Sequence, residues 1–435
     1  MTPPATGPKR LSFAAMQNPG YRAHFTTYVL AMMADNIEHV ISYWMVFQKF
    51  HSAALAGFAV ISHWAPFLLF SVAAGALADR FDPRRLIQFG MVLFMGCSLG
   101  WGYFFFTDTL QVHDAVILLI VHGLAGVFWQ TSSQLLLHDI AGGAQLPSAV
   151  RLNATARTLG VLVGPAVGGL IMLELGPTHG IFFNVLFYLP LLLWLWKAPY
   201  GPRFRVGAAP VTRAVRGLAD IVRTIRDIAG DRVIVTAVGL AGIAAFFVGN
   251  AYQAQMPGFA HDLGHGDPGV RYSMLLAADA CGALVAGIAL ESLALLRPDP
   301  RTALLLAMAW TLAISAFAMV RAYPLALSAL FVAGIFELSF NSMAQTLVQM
   351  NAPATIRGRV IGLYNMASLG MRAFSGVTVG LIGGLVGIHA SLAIAALAVL
   401  LCVSTLLLVY LIKGPTPVQR AAVRSAEPRS DTTAA

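Results

Sequence analysis

Residues 75–85 read GALADRFDPRR and lie between two long apolar segments, residues 53–78 and 85–106. A helix needs about 20 mostly apolar residues to cross a bilayer. The charges and the Asp-Pro pair of this stretch are typical of a turn that ends one helix and begins the next. The sequence therefore predicts two membrane-spanning helices joined by a short basic connection.

The composition of the whole chain agrees with a membrane protein. Of its 435 residues, 58% are hydrophobic and 11% are charged, and the mean hydropathy is +0.74. Soluble domains carry about 25% charged residues. Cys97, Cys281 and Cys402 are far apart in apolar segments. This spacing predicts neither a disulfide framework nor a metal site, and no cofactor is predicted.

Ten further segments extend the same pattern, and we number the twelve as spans one to twelve. They are residues 24–47, 53–78, 85–106, 113–136, 149–175, 179–197, 233–259, 271–295, 301–321, 324–349, 357–384 and 387–412. They are too long for strands and lack a period of two. The predicted fold class is an all-α integral membrane protein with twelve transmembrane helices in two pseudo-symmetric six-helix bundles.

The basic residues predict the orientation of these spans. Of the 28 Lys and Arg residues, only Lys49, Arg271 and Arg321 fall in connections on the side away from the termini, and Arg157 and Arg372 lie within spans. Cytoplasmic connections of membrane proteins are enriched in Lys and Arg. Both termini are therefore predicted to be cytoplasmic, in a bacterial-type inner membrane. This distribution explains the net charge of +9 without a nucleic-acid partner.

The order of the spans divides the chain into five predicted regions. Residues 1–22 lack a signal-peptide pattern and are expected to form a cytosolic tail. Residues 23–197 and 233–412 hold six spans each, and residues 198–232 form a linker between them. Residues 413–435 are polar and are expected to be disordered.

The linker is predicted to contain an amphipathic helix. Apolar residues recur at helical spacing and face basic ones: Val211, Val215, Leu218, Val222 and Ile225 against Arg213, Arg216, Arg223 and Arg226. A helix of this kind is expected to lie on the anionic surface of the membrane.

The two six-span regions show a weak internal repeat. At an offset of 212 residues, four positions correspond: Gly75 with Gly287, Asp79 with Glu291, Gly164 with Gly376, and Gly168 with Gly380. Repeated halves are typical of transporters whose substrate site lies between the halves near the middle of the membrane.

Three motifs resemble the major facilitator superfamily. Its loop signature G-x-x-x-D-R-x-x-R-R corresponds to Gly75, Asp79, Arg80, Arg84 and Arg85. Its exporter motif in span five corresponds to Gly160, Gly164, Pro165, Gly168 and Gly169. The segment Arg357-Gly358-Arg359-Val360 resembles the drug and siderophore exporter branch that includes the enterobactin exporter. Two features depart from the pattern. Asp82-Pro83 replaces the glycine that usually follows the arginine of the loop motif, here Arg80, and in span four His122 is the nearest candidate to the arginine of many drug–proton antiporters.

The resemblance implies a role for each motif. Asp79 is expected to face the positive N-terminal end of span eleven, so that its loop acts as a gate on the cytoplasmic side. The alternative is a simple topology anchor. The glycines of span five are expected to let helix backbones approach closely and to favour a sealed contact between the halves; plain helix packing is the alternative.

Six ionisable residues are predicted to lie at membrane depth, where charges are costly unless they face protein or water. They are Asp35, Glu38, Arg157, Asp279, Glu337 and Arg372. Asp35 and Glu38 share one helix face, so we expect one of them to hold a proton. Alternatively, they neutralise Arg157 or Arg372, which are themselves interpreted as anion-binding groups or as structural counter-ions. Glu174 and Glu291, near span ends, are expected to be solvated.

Polar residues at helical spacing predict a central cavity. They are Gln130, Gln134 and His138 with His122 in span four, Asn250 and Gln253 in span seven, and Glu337, Asn341 and Gln345 in span ten. Trp129 and Tyr252 are candidates to stack on a substrate. The candidate proton-coupling residues are Asp35, Glu38, Glu337 and His122.

The sequence therefore predicts a secondary transporter that exports a small organic molecule, siderophore-like or drug-like, in exchange for protons. We expect a monomer that is not an enzyme. No G-x-x-x-x-G-K-[ST] loop for ATP occurs. An uptake symporter and a non-transporting membrane sensor of the same fold are the alternatives.

Overall fold

The computed structural model describes residues 12–50, 53–204, 217, 219–249, 251–263, 270–293, 296 and 298–413. These residues form helices and turns, and none of them lies in a strand. The N-terminal tail is thus described only from residue 12, and the C-terminal tail lies outside the described residues from residue 414.

The first half contains six helices: α1 (Pro19–Phe50), α2 (Ala53–Arg80), α3 (Pro83–Thr107), α4 (112–141), α5 (143–175) and α6 (177–197). The last three follow one another without a loop. Gly142 and Gly176 separate them with φ angles of 66° and 74°. Only glycine adopts such angles readily, because it has no Cβ.

The second half begins after a short helix, α7 (Ala219–Ile228), that lies in the linker. Its helices are α8 (Arg232–Phe247), followed by the short pieces Ala251–Ala254 and Met256–Asp262, then α9 (Val270–Ser292), α10 (Pro300–Met319), α11 (Tyr323–Asn351), α12 (357–386) and α13 (Ile388–Lys413). Within α12, π-helical turns occur at Met366–Gly370 and Gly376–Leu381.

Every predicted span contains helix among the described residues. In that part of the chain, nine continuous helical stretches are long and apolar enough to cross a membrane, and one of them, residues 112–204, includes both glycine breaks. Helix α1 is not among the nine, because polar residues such as Asp35 and Glu38 lower its hydropathy.

The buried apolar side chains form separate clusters for the two halves. Two clusters, around Trp129 and Trp101, belong to α1–α6 and the segments beside them. A third, around Trp310, comes almost entirely from α7–α13. A smaller cluster of Ala78, Leu135 and Ile361 joins α2 and α4 to α12. The halves thus have their own cores and share a narrower apolar contact.

Asp79 joins the halves on the membrane side that carries Arg80, Arg84, Arg151 and Arg357, here called the basic face. Its carboxylate accepts hydrogen bonds from the backbone N–H groups of Gly358 (2.5 Å) and Arg359 (3.1 Å) and pairs with the Arg359 guanidinium at 3.2 Å. The first N–H groups of a helix lack partners within the helix and carry partial positive charge. The carboxylate therefore satisfies the start of α12.

Gly75 allows this contact to form. A Cβ placed on Gly75 would overlap the carbonyl oxygen of Gly358, and a Cβ on Gly358 would overlap that of Gly75. The backbones of α2 and α12 are therefore in direct contact, with no room for a side chain between them.

Glu291 makes the corresponding contact at the end of α9, which corrects the expectation that it is solvated. It is 1% exposed, accepts a hydrogen bond from Ser148 and pairs with Arg151 at 2.7 Å. Ser148 and Arg151 lie in the first turns of α5, so a carboxylate from each half meets the fifth helix of the other half. Glu174, by contrast, is exposed as expected.

Helix α7 is attached to the same contact. Asp220 is fully buried and its carboxylate lies 3.3 Å from Nε of Arg359. Val222 and Ile225 are exposed on α7, and the other predicted apolar residues of the linker, Val211, Val215 and Leu218, lie outside the described residues. Arg213 and Arg216 do so as well.

The remaining basic residues of the loop tie it to neighbouring groups in the first half. Arg84 pairs with Asp82 at 2.6 Å and donates to the carbonyl oxygen of Ala198, after α6. Arg85 donates to Gln88 at 2.7 Å. The exposed Arg80 lies 5.6 Å from the centre of the Phe81 ring.

The glycines of α5 were expected to favour a sealed contact between the halves, but their close contacts lie within the first half. A Cβ on Gly160 would overlap Met32, one on Gly164 would overlap Asn36, and one on Gly168 would crowd Ile37. All three neighbours belong to α1, so these glycines bring together two helices of the same half. Pro165 is exposed and Gly169 has open space beside it.

We predict that Gly358→Ala opens the basic face. The added methyl group must push α2 and α12 apart, and overpacking of this kind costs about 1–3 kcal/mol. The readout is maleimide labelling of Leu135→Cys, a buried reporter in the cluster between the halves, after Cys97, Cys281 and Cys402 are replaced. We expect labelling to become about tenfold faster, since 1.4 kcal/mol corresponds to a factor of ten.

Gly143→Ala is the matched control, because a Cβ there meets open space. It should leave the labelling rate unchanged. Equal rates for Gly358→Ala and Gly143→Ala would show that the contact does not hold the basic face closed.

Candidate ion and substrate site

A small recess lies in the second half at membrane depth. Its walls come from α8, α10, α11 and α12, and include Glu337, Asn341, Ser368 and Arg372. An acid and a base thus share one small recess with polar groups. Its lining residues belong to the second half, whereas the predicted cavity has walls from both halves.

Asp35, Glu38 and His122 form a hydrogen-bonded cluster in the first half. The carboxylates lie on one face of α1, and His122 projects from α4 between them. Its Nδ1 lies 2.9 Å from Glu38 Oε1 and its Nε2 lies 2.9 Å from Asp35 Oδ1. The partner of the two acids is therefore the imidazole, which differs from the alternative pairing with Arg157 or Arg372.

This geometry requires a proton. A neutral imidazole has one N–H donor and one lone pair, whereas a carboxylate only accepts. Both 2.9 Å contacts are hydrogen bonds only when one further proton is present, on the imidazole or on a carboxyl group. Without it, a ring lone pair would face a carboxylate in a poorly solvated place.

Two further residues hold Glu38 in position. Ser98 of α3 donates to Glu38 Oε2 at 2.5 Å, and Asn184 of α6 lies 3.4 Å from the Ser98 oxygen. Asn184 also donates to the carbonyl oxygen of Ala34 at 3.0 Å. The Glu38 side chain is thereby fixed from three helices.

Asp279, Tyr252 and Glu337 form a second cluster in the other half. The Tyr252 hydroxyl lies 3.0 Å from Asp279 Oδ2 and 3.2 Å from Glu337 Oε2. A phenol has a single proton to donate, so one of the two carboxyl groups must be protonated for both contacts to be hydrogen bonds. Gln253 donates to the same Asp279 oxygen at 3.3 Å.

Two arginines were predicted at membrane depth, and Arg372 lines the recess together with Glu337 of this second cluster, whereas Arg157 lies on α5. Both are half-buried. Arg372 donates to the Ser368 carbonyl oxygen at 3.1 Å and lies 5.2 Å from the centre of the Trp64 ring. Arg157 has no hydrogen-bond partner within the described ranges.

The other predicted cavity residues have different surroundings. Gln134 is buried and donates to Asn365 of α12 at 2.8 Å, which places it in the contact between the halves. Gln130 accepts from Tyr28 at 3.1 Å. Trp129 is 1% exposed and packs in the core of the first half.

Three predicted residues remain. Gln345 is half-buried on α11. His138 lies 3.4 Å from Arg357 across the two halves. Asn250 lies outside the described residues.

The sequence pattern did not single out several residues of the site. Ser98 and Asn184 carry no signal of their own, because serine and asparagine are common in membrane helices. His39 and His63 lie beside His122, with ring centres 4.9 Å apart from each other and 4.7 Å apart between His39 and His122. The signal for these two was available, since histidine at membrane depth is rare.

Comparison with known proteins agrees with this architecture. The human organic anion transporter MFSD10 (TETRAN) superposes with a TM-score of 0.67 at 13% identity, covering 89% of this chain and all of that one. FucP in the outward conformation superposes with a TM-score of 0.70 at 12% identity, covering 91% and 99%. At these identities the likeness concerns the fold.

Two curated relatives are similar in sequence. The multidrug efflux pump Tap of Mycobacterium tuberculosis is 24% identical over 398 residues, which cover 88% of this chain and 91% of Tap. The Staphyloferrin A transporter of Staphylococcus aureus is 23% identical over 177 residues, which cover 39% of this chain and 44% of that protein.

The family model described as transmembrane secretion effector matches residues 11–431. With nearly the whole chain matched, and with its helical fold and solved neighbours, the chain belongs to the transmembrane secretion effector family of major facilitator superfamily transporters.

Proposed function

We propose that this transporter exports a small organic molecule in exchange for protons. The observation that carries the proposal is the Tyr252 hydroxyl placed between Asp279 and Glu337, at 3.0 and 3.2 Å. Two carboxyl groups around one donor hold a proton when the site is away from water. Glu337 also lines the recess, so the group that holds the proton is next to the place where cargo binds.

The cluster of Asp35, Glu38 and His122 is proposed as a second place for a proton. It lies in the other half and meets the same condition, since its two 2.9 Å contacts require a bridging proton. With a proton site in each half, movement of the halves would change the surroundings of both sites.

Alternating access is proposed to proceed by rocking of the two halves. The described contacts at Asp79, Glu291 and Gln134 join the halves toward the basic face. We assign the structure to a state that is closed on this face. Opening requires Asp79 to leave the start of α12 and Glu291 to leave the start of α5.

The arginines support an anionic group on the cargo. Arg157 and Arg372 are both half-buried, Arg372 lines the recess, and planar guanidinium groups suit bidentate binding of carboxylates. The names of two relatives, a multidrug efflux pump and a Staphyloferrin A transporter, support export of a siderophore-like or drug-like molecule. An uptake symporter remains the second candidate direction.

The remaining assignments follow from the sequence pattern. We propose two six-helix bundles, residues 23–197 and 233–412, a cytoplasmic linker and both termini in the cytoplasm of a cell with an inner membrane of bacterial type. The basic face is then the cytoplasmic face, in agreement with the positive-inside rule. A monomer is proposed because both candidate clusters are formed by residues of a single chain.

We predict that Glu337→Gln uncouples transport from the proton gradient. The assay uses everted vesicles with an acidic lumen and two radiolabelled probes, the anionic p-aminohippurate and the cationic ethidium. Uptake of either probe should fall by about tenfold, because the side chain at position 337 can no longer change its charge at membrane depth. Exchange of labelled for unlabelled probe, without a gradient, should persist because the amide keeps the hydrogen bond to Tyr252.

Glu174→Gln serves as the matched control, because this carboxylate is exposed. It should behave as the unaltered protein does. Two results would contradict the proposal. One is full gradient-driven uptake in both Glu337→Gln and Glu38→Gln, and the other is no gradient-driven uptake of either probe by the unaltered protein.

We further predict that Arg372→Gln weakens binding of the anionic probe only. A hydrogen bond to a charged group contributes about 1.5–3 kcal/mol, so the KM for p-aminohippurate should rise by about tenfold to a hundredfold. The KM for ethidium should stay the same or fall. Arg80→Gln, at an exposed arginine of the basic face, is the control, and equal effects on both probes would argue against an anion-binding arginine.

A further inference from the structure

Three histidines from three helices meet beside the acid cluster of the first half. His39 lies on α1, His63 on α2 and His122 on α4, and one ring nitrogen from each lies within 4.8 Å of the others. The proton-holding contacts use His122 alone. His39 and His63 are therefore imidazoles at membrane depth to which proton coupling assigns no role.

We propose that His39, His63 and His122 bind one divalent transition-metal ion of the Zn²⁺ class. Neutral imidazole is a common ligand of Zn²⁺, Co²⁺ and Ni²⁺, and three imidazoles with one open or carboxylate position form a typical site for these ions. The site goes beyond the proposed export function and does not depend on it.

The distances allow the ion after a modest closure. A tetrahedral ion with bonds of about 2.0–2.1 Å holds its ligand atoms about 3.3 Å apart. The ring nitrogens lie within 4.8 Å of one another, so rotation of the side chains has to bring them closer by about 1–1.5 Å. His39 and His63 are half-buried, which leaves room for such rotation.

One ring nitrogen in the cluster lacks a partner. Nδ1 of His63 is buried and has no hydrogen bond to any described residue. A buried polar atom without a partner costs free energy, and a metal ion bound through Nδ1 of His63 would remove that cost.

The charge around the histidines suits a divalent cation. Asp35 and Glu38 lie beside them and are 8% and 1% exposed. Two carboxylates in a poorly solvated place require two positive charges for balance, which one divalent ion supplies. Asp35, 2.9 Å from Nε2 of His122, is the carboxylate placed to become the fourth ligand when that nitrogen turns to the ion.

Glu38 supplies the outer contact that such a site needs. It faces Nδ1 of His122 at 2.9 Å and is itself held by Ser98. A carboxylate on the second ring nitrogen fixes the tautomer and direction of a ligating histidine. Glu38 is thus a positioning residue for His122.

The test is a titration of the purified full chain in detergent with Co²⁺, followed by displacement with Zn²⁺. Cys97, Cys281 and Cys402 are replaced first, and bound metal is removed with a chelator. We expect one equivalent of Co²⁺ with the strong visible bands of a four-coordinate ion. His39→Asn and His63→Asn should each weaken binding by about a hundredfold or more, since even outer contacts contribute ten- to a hundredfold.

His63→Cys keeps the proposal testable if the asparagine variants fold poorly. It retains a ligand, so Co²⁺ should still bind and should gain a thiolate-to-cobalt charge-transfer band in the near ultraviolet. His113→Asn, at an exposed histidine, and His261→Asn, beside Asp262, are controls that should bind as the unaltered protein does.

Three results would overturn the metal site. They are failure of the folded protein to bind Co²⁺ in a one-to-one ratio, unchanged affinity in His39→Asn and His63→Asn, and loss of binding in His261→Asn alone. Both asparagine variants leave Asp279, Tyr252 and Glu337 untouched. Loss of metal binding with retained gradient-driven uptake of the organic probes would therefore support the metal site independently of the export function.

Discussion

A carboxylate that lies away from water must be paired or protonated, and this constraint accounts for most of the polar architecture. Asp79 meets it with the start of α12 and Arg359, and Glu291 meets it with Ser148 and Arg151. Asp35 and Glu38 share an imidazole, and Asp279 and Glu337 share a phenol. The first kind of pairing joins the halves, and the second kind keeps a proton at membrane depth. One physical requirement thus shapes both the contact between the halves and the candidate coupling sites.

The two halves meet this requirement with different chemistry. Imidazole has two nitrogens and either donates twice or donates and accepts, whereas the phenol has one proton. The cluster around His122 is fixed by Ser98 and Asn184, while Glu337 of the cluster around Tyr252 lines a recess together with Arg372. Pseudo-symmetry therefore relates the helices and the contacts at the basic face, but it does not relate the sites.

Much of this could be predicted from the sequence, and the failures have physical reasons. The spans, the position of Asp79 and the candidates Asp35, Glu38 and His122 follow from hydropathy, motif spacing and the rarity of charge in lipid. Glu291 was expected to be solvated although the internal repeat pairs it with Asp79; only the fold shows that Ser148 and Arg151 reach it. The glycines of α5 indicate close packing but not the partner, which is α1. Pairing between distant helices, such as Tyr252 with Asp279, has no local pattern.

Arg359 is the point where three parts of the chain converge, because Asp79 of α2 and Asp220 of α7 both contact its side chain. When the halves separate here, the Arg359 cation and the Asp79 and Asp220 anions lose their pairing together. Partial opening would break some of these pairs while leaving the others buried and unbalanced, so intermediate widths are the least stable. The passage on this side is accordingly expected to behave as an all-or-none barrier, which is the property that keeps a carrier from leaking ions while it changes conformation.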